Sequence, residues 1–309
     1  MSAPALKGPY WATVRQHRHA VWALPALAAV GLAAVAALRV WAGDPGPEGP
    51  FAYRARSYQV MRLCMEYAGT GLLLLPLLVG AFAAGPMTAR ELESGTWRLA
   101  LTQSTTPRAW LGAKVLVAGA VSALGAAALV LVFRLGWTRV SGTWQLSRFD
   151  RGPYEATGPV LAAYCLLGVA LGVLVGQLVR RTVAAMAVTG LLTGLVLLGV
   201  GSLRWSFLPV ETNSIPFAGN PVKLLPRDSL LTDMGLLTAS GSRLPNQACF
   251  ERTLNADVCP ADLNVTGRYA DFHPASHYWP TQLIETAVVL ALAAAALYAA
   301  FRVLRARRG

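Results

Sequence analysis

Residues 159–203 read PVLAAYCLLGVALGVLVGQLVRRTVAAMAVTGLLTGLVLLGVGSL. Two apolar blocks, Pro159 to Val179 and Val183 to Leu203, are parted by Arg180, Arg181 and Thr182 alone. Each is about 20 residues long, the length of α-helix that crosses a ~30 Å hydrocarbon core. Lipid offers the backbone no hydrogen-bond partners, so each block must satisfy its amides internally as a helix. A membrane β-strand would alternate apolar and polar residues over about ten positions, and neither block does. The stretch therefore predicts two antiparallel transmembrane helices joined by a very short turn.

Four more blocks of this kind occur, Ala20 to Val40, Tyr67 to Gly85, Trp110 to Phe133 and Gln282 to Leu304. The expected fold is an all-α membrane protein of six transmembrane helices. Composition agrees: the chain is 55% hydrophobic and 14% charged, against about 25% charged in soluble domains. The net charge of +12 is no nucleic-acid signature, because its distribution is topological. With the N-terminus inside, the inner segments hold 13 of the Lys and Arg residues against two acids, Glu91 and Glu93. The outer segments hold 14 basic and 13 acidic residues over about twice the length,. An even number of spans then returns the C-terminus to the cytoplasm, in a multi-pass membrane protein. Residues 1–19 read as a basic, uncleaved cytoplasmic segment whose Tyr10 to His19 portion could lie on the membrane as an amphipathic helix.

Several further features carry expectations. Gly168, Gly172 and Gly176 recur every four residues on one helical face, and Gly190 and Gly194 do so on the next span; such faces let helix backbones approach closely. Arg62 and Glu66 stand four apart where the second span enters the membrane. They form either a plain interfacial pair or, with Glu285 at the start of the last span, a mark of a substrate pathway. Residues 204–281 make the longest connection, expected outside as a folded cap with short helices near Asp228 to Leu237. Cys249 and Cys259, ten apart in that oxidising setting, are expected to form a disulfide, and their spacing suits no zinc pattern. Cys64 and Cys165 read as small apolar residues of the spans.

The functional signal lies between the second and third blocks, where residues 87–115 read MTARELESGTWRLALTQSTTPRAWLGAKV. A short charged helix with Arg90, Glu91 and Glu93 should stop at Gly95. Thr106 and Pro107 should cap and open the third span. Trp97, Leu99 and Leu101 give the loop an apolar face that a bare chain reversal would not need. A docking element for a cytoplasmic partner explains it.

The run Arg90-Glu91-Leu92-Glu93-Ser94-Gly95-Thr96, with Arg98, Leu101, Thr102, Pro107, Gly112 and Lys114, resembles the loop signature of ABC transporter permeases of the type-2 exporter class. It is most similar to A-R-E-x-E-x-G-T-x-R-L-A-x-T-Q-S in six-span permeases of high-GC Gram-positive bacteria. The resemblance extends to the basic N-terminal stretch and to His273-Pro274-Ala275, Trp279, Pro280, Gln282 and Glu285. It implies that residues 86–109 hold a coupling helix seated on a separate ABC ATPase, with Arg90, Glu91, Glu93, Gly95, Thr96 and Arg98 as the coupling residues. It also implies two ATPase copies, a second permease chain, and ATP and magnesium bound by the ATPase. No G-x-x-x-x-G-K-[ST] loop occurs in this chain, so no phosphate cradle of that kind, and no cofactor, is expected in it. The substrate class implied by uncharged span centres is amphipathic or lipid-like, such as an antibiotic. The rival readings are a sensory permease and a membrane enzyme. The enzyme would build on Asp271, His273 and His277, although Pro274 interrupts the helical spacing that metal binding would need.

Overall fold

A computed structural model describes residues 9–16, 18–42, 56–96, 106–140, 146–255 and 257–306. It contains six helices long and apolar enough to cross a membrane. The chain forms two compact units, one of residues 1–204 with 282–309 and one of residues 205–281.

In the first unit, α1 (Pro9–Gln16) precedes α2 (Arg18–Ala42). The second span is one continuous rod of 38 residues. It is made of α3 (Arg56–Leu78), a π-helical segment (Val79–Ala84) and α4 (Gly85–Glu93). It overruns the apolar block at both ends because hydropathy marks the hydrocarbon depth, whereas the helix stops only at its caps. Here the stop is Gly95, at φ +73°, one residue past the C-cap Ser94,. Then come α5 (Pro107–Trp137), the short α6 (Pro153–Thr157), α7 (Val160–Val179) and α8 (Thr182–Leu203). α10 (Tyr278–Ala306) is the sixth span. Thr106 caps α5 by accepting a hydrogen bond from the Ala109 amide at 3.2 Å, with Pro107 in the first turn.

The centre of this unit is α7, whose most apolar window is 78% buried. Its Gly168–Gly172–Gly176 face lies on the second span. A Cβ on Gly168 would stand 2.8 Å from the Pro76 carbonyl, and one on Gly172 only 2.7 Å from the Gly85 amide. Gly190 and Gly194 are less confined, with nearest atoms 3.3 and 3.5 Å from such a Cβ.

The second unit is not helical where helices were expected. Residues 228–237 enter β2 (Leu230–Thr238), part of a four-stranded antiparallel sheet ordered β1-β4-β2-β3. β1 spans Glu211–Pro216, β3 Arg243–Pro245 and β4 Val265–His273. Cross-strand pairing with β4 along most of its length decides the state of β2, and Gly235 in its middle disfavours a helix,. Cys249 and Cys259 are joined as a disulfide around the one-turn α9 (Phe250–Thr253). The six-span helical membrane fold is as expected, and the short helices expected near Asp228 to Leu237 are replaced by a β-sheet within residues 205–281.

Candidate coupling site

α4 carries the charged motif, and its two carboxylates turn toward neighbouring helices. Glu91 accepts from Lys114 Nζ at 2.6 Å and from Trp110 Nε1 at 3.0 Å, both on the first turns of α5. Lys114 is buried, with 2% of its side chain exposed, and also donates to the Met87 carbonyl at 3.3 Å. Met87, Trp110, Leu111, Val173 and Ala300 form an apolar cluster around this pair. It draws α4, α5, α7 and α10 together.

Glu93 does different work. One of its oxygens accepts from both the amide and the hydroxyl of Thr182, at 2.8 and 2.5 Å. Thr182 opens α8 directly after the two-residue turn at Arg180 and Arg181, where Arg180 takes a left-handed φ of 55°. A carboxylate from another span thus fills the N-cap role at the positive end of α8. Within this chain the two carboxylates tie α4 to the third and fifth spans. Arg90 and Glu93 are the exposed charges of the described motif, and among the described residues Arg90 has no hydrogen-bond or ion-pair partner. Ser94 and Thr96 share a hydrogen bond of 2.9 Å. Arg98, with Trp97, Leu99 and Leu101, lies outside the described residues.

A second polar cluster lies at the opposite ends of these spans. Arg204, 1% exposed, reaches Glu155 at 2.5 Å and both oxygens of Glu285 at 2.9 Å. Tyr164 donates to Glu285 at 2.7 Å, and the Gly152 amide donates to Glu155 at 2.8 Å. The guanidinium also lies 3.8 Å from the Tyr154 ring centroid. Two carboxylates share one guanidinium; the Gly152 amide takes the other Glu155 oxygen, and the Tyr164 hydroxyl adds a second bond to one Glu285 oxygen, as buried ions require,. The cluster joins α6, α7, the end of α8 and the start of α10. Sequence reasoning singled out Glu285 alone. Glu155 and Arg204 stand outside the apolar blocks and looked like loop charges.

Glu66, the other suggested pathway residue, is half exposed and paired with Arg62 at 3.2 Å. Glu66 and Glu285 are not brought together, since Glu285 is fully buried within the Arg204 cluster. In the sheet unit, Asp271 binds Arg243 at 2.6 Å and Thr212 at 2.5 Å, and these bonds hold its carboxyl below the usual carboxylate range. His273 Nδ1 lies 3.2 Å from His277 Nδ1. Burial, then the neighbouring His277, lowers the pKa of His273. Among the described residues no group of three or more His, Cys, Asp or Glu could hold a metal.

Six helices long and apolar enough to cross a membrane, packed about a glycine face, define a multi-pass cell-membrane protein. Residues 31–204 match the family described as ABC-2 membrane transporter related, and the chain belongs to that family. It is accordingly an ABC-2-type transporter permease. Comparison with curated proteins and with solved structures returned no match.

Proposed function

We propose that this chain is the membrane subunit of an ATP-driven exporter, with α4 as the coupling helix on which a separate cytoplasmic ABC ATPase docks. The observation that carries the reading is the placement of Glu91 and Glu93. Force applied to α4 reaches the third span through Glu91, Trp110 and Lys114, and the fifth span through Glu93 and Thr182. α4 is itself the end of the second span, so one short segment holds three spans. A partner pressing on exposed Arg90 would therefore move a bundle rather than a loop. Two such chains with two ATPases would form the transporter, and the ATPases would bind ATP and magnesium. The apolar faces of the spans favour an amphipathic or lipid-like substrate.

The test is affinity purification of the tagged chain from its native membrane. A stoichiometric ATPase that is lost when residues 90–96 are scrambled supports the reading, and absence of any ATPase under gentle extraction overturns it. A sensory permease is the second reading. It draws on the compact, disulfide-closed unit of residues 205–281, which is large enough to bind a ligand for signalling. Substrate flux in reconstituted vesicles with the ATPase present separates the two.

A further inference from the structure

Two adjoining hollows lie along the second span where it becomes α4. One is an apolar groove of about 300 Å³ between α1, α2, α5 and the second span, lined by residues including Leu24, Leu78, Phe82, Met87, Ala118 and Val121. The other, of about 550 Å³, is lined by Arg90, Glu91, Ser94 and Thr96 at one end and by Phe82, Ala83 and Met87 at the other. Phe82, Ala83 and Met87 line both, so the hollows adjoin along one stretch of the second span.

Their dimensions follow a lipid leaflet. From Leu78 to Met87 the apolar wall runs at most about 13.5 Å at the α-helical rise, less where it is π-helical, and so fits within the ~15 Å of half a hydrocarbon core. Arg90 stands one helical turn further on, at headgroup level. Its charge is uncommitted among the described residues, whereas the Glu91 carboxylate in the same wall is taken up by Lys114 and Trp110. The Ser94 and Thr96 hydroxyls sit beside Arg90 in the pocket wall. Leu78 and Phe82 are 51% and 65% exposed, so the groove opens sideways to surrounding acyl chains.

We propose that groove and pocket together bind one anionic phospholipid, with an acyl chain along Leu78, Phe82 and Met87 and its phosphate at Arg90, Ser94 and Thr96. The permease reading enters only in assigning this lipid to the cytoplasmic leaflet. A bound lipid would then wedge between the first three spans beside the coupling helix, where it bears on the movement of α4.

The test uses the full chain in nanodiscs of equal parts phosphatidylcholine and phosphatidylglycerol, followed by mild detergent extraction and native mass spectrometry. The expected result is retention of phosphatidylglycerol over phosphatidylcholine by about fivefold, the preference one cation near a membrane surface confers. Arg90→Gln should abolish the preference without lowering the melting temperature. Ala83→Leu should lower retention of both lipids while keeping their ratio. Equal retention by the unsubstituted chain, or an unchanged ratio in Arg90→Gln, overturns the proposal. A photocrosslinker at position 82 should capture lipid; capture of residues 97–105 or of a second copy would show another occupant and overturn it too. No ATPase is present and both nanodisc leaflets are alike. Failure here therefore removes the lipid site alone, and failure of the ATPase co-purification removes the permease role alone.

Discussion

Glu91 is where one side chain carries most consequence. Its removal leaves Lys114 charged and buried, with the Met87 carbonyl at 3.3 Å as its one acceptor among the described residues. Breaking a buried pair from one side costs about 3–5 kcal/mol, and the 17% exposure of the Glu91 side chain places this pair toward the lower end. Glu91→Ala should therefore insert in the membrane, melt at lower temperature and lose ATP-stimulated transport. The double variant Glu91→Leu with Lys114→Met removes both charges and should regain the melting temperature but not transport. Transport at the unsubstituted rate in that double variant would reduce the pair to packing. The motif around Glu91 was legible in the sequence, but the direction of its carboxylates was not. Glu91 meets partners 19 and 23 residues away, and Glu93 meets one 89 residues away. The Arg204 cluster is further beyond local reading, since Glu155 and Glu285 lie 49 and 81 residues from the guanidinium they share.

Among the elements, the helices were legible because each apolar block must satisfy its own backbone. Strand β2 was not, because its stability comes from pairing with β4, some 30 to 40 residues on,. The glycine face of α7 was visible as a spacing, whereas its partner, the stretch from Pro76 to Ala89, shows only in three dimensions. That contact yields a graded expectation. Gly172→Ala places a methyl 2.5 Å from the Ala84 Cβ and should lower stability by about 1–3 kcal/mol, the usual cost of overpacking. Gly194→Ala meets nothing closer than 3.5 Å and should melt within a degree or two of the unsubstituted chain,. Equal melting of the two variants would contradict the α7 packing. The π-helical turn at Val79–Ala84 adjoins this contact, and such turns collect at functional sites because they change register locally,. Strand β4 carries a pH expectation. Because His273 titrates below its ordinary range when folded, it stabilises the sheet fully above the unfolded value of about 6.5. That contribution is lost as pH falls from there through the lowered folded value. Asp271, also depressed, adds a loss only below the ordinary carboxylate range. Amide exchange in residues 265–273 should accelerate as pH drops below about 6.5, once corrected for intrinsic rates. His273→Phe should remove this first step and leave the one at more acid pH.

At the scale of the whole chain, the proposed function depends on which membrane face each unit meets, and charge decides that question. Six spans return the chain to its starting side, and the segments on that side, both chain ends included, carry 13 basic residues against two acids. Lys and Arg on short loops resist translocation, so those segments, α4 among them, are expected in the cytoplasm. Residues 205–281 then fall outside, where an oxidising setting suits the Cys249–Cys259 disulfide,. Two exposed positions test this without disturbing a described partner. Ala306 is exposed near the end of α10, and Lys223 is exposed in the sheet unit. In a chain with Cys64→Ala and Cys165→Ala, a membrane-impermeant maleimide should label Lys223→Cys in intact cells. It should label Ala306→Cys only after the membrane is opened. Labelling of both from outside would mean that α10 does not cross the membrane and would overturn the six-span topology. Labelling in the reverse order would keep six spans but turn the coupling segment outward, where no ATPase could reach it.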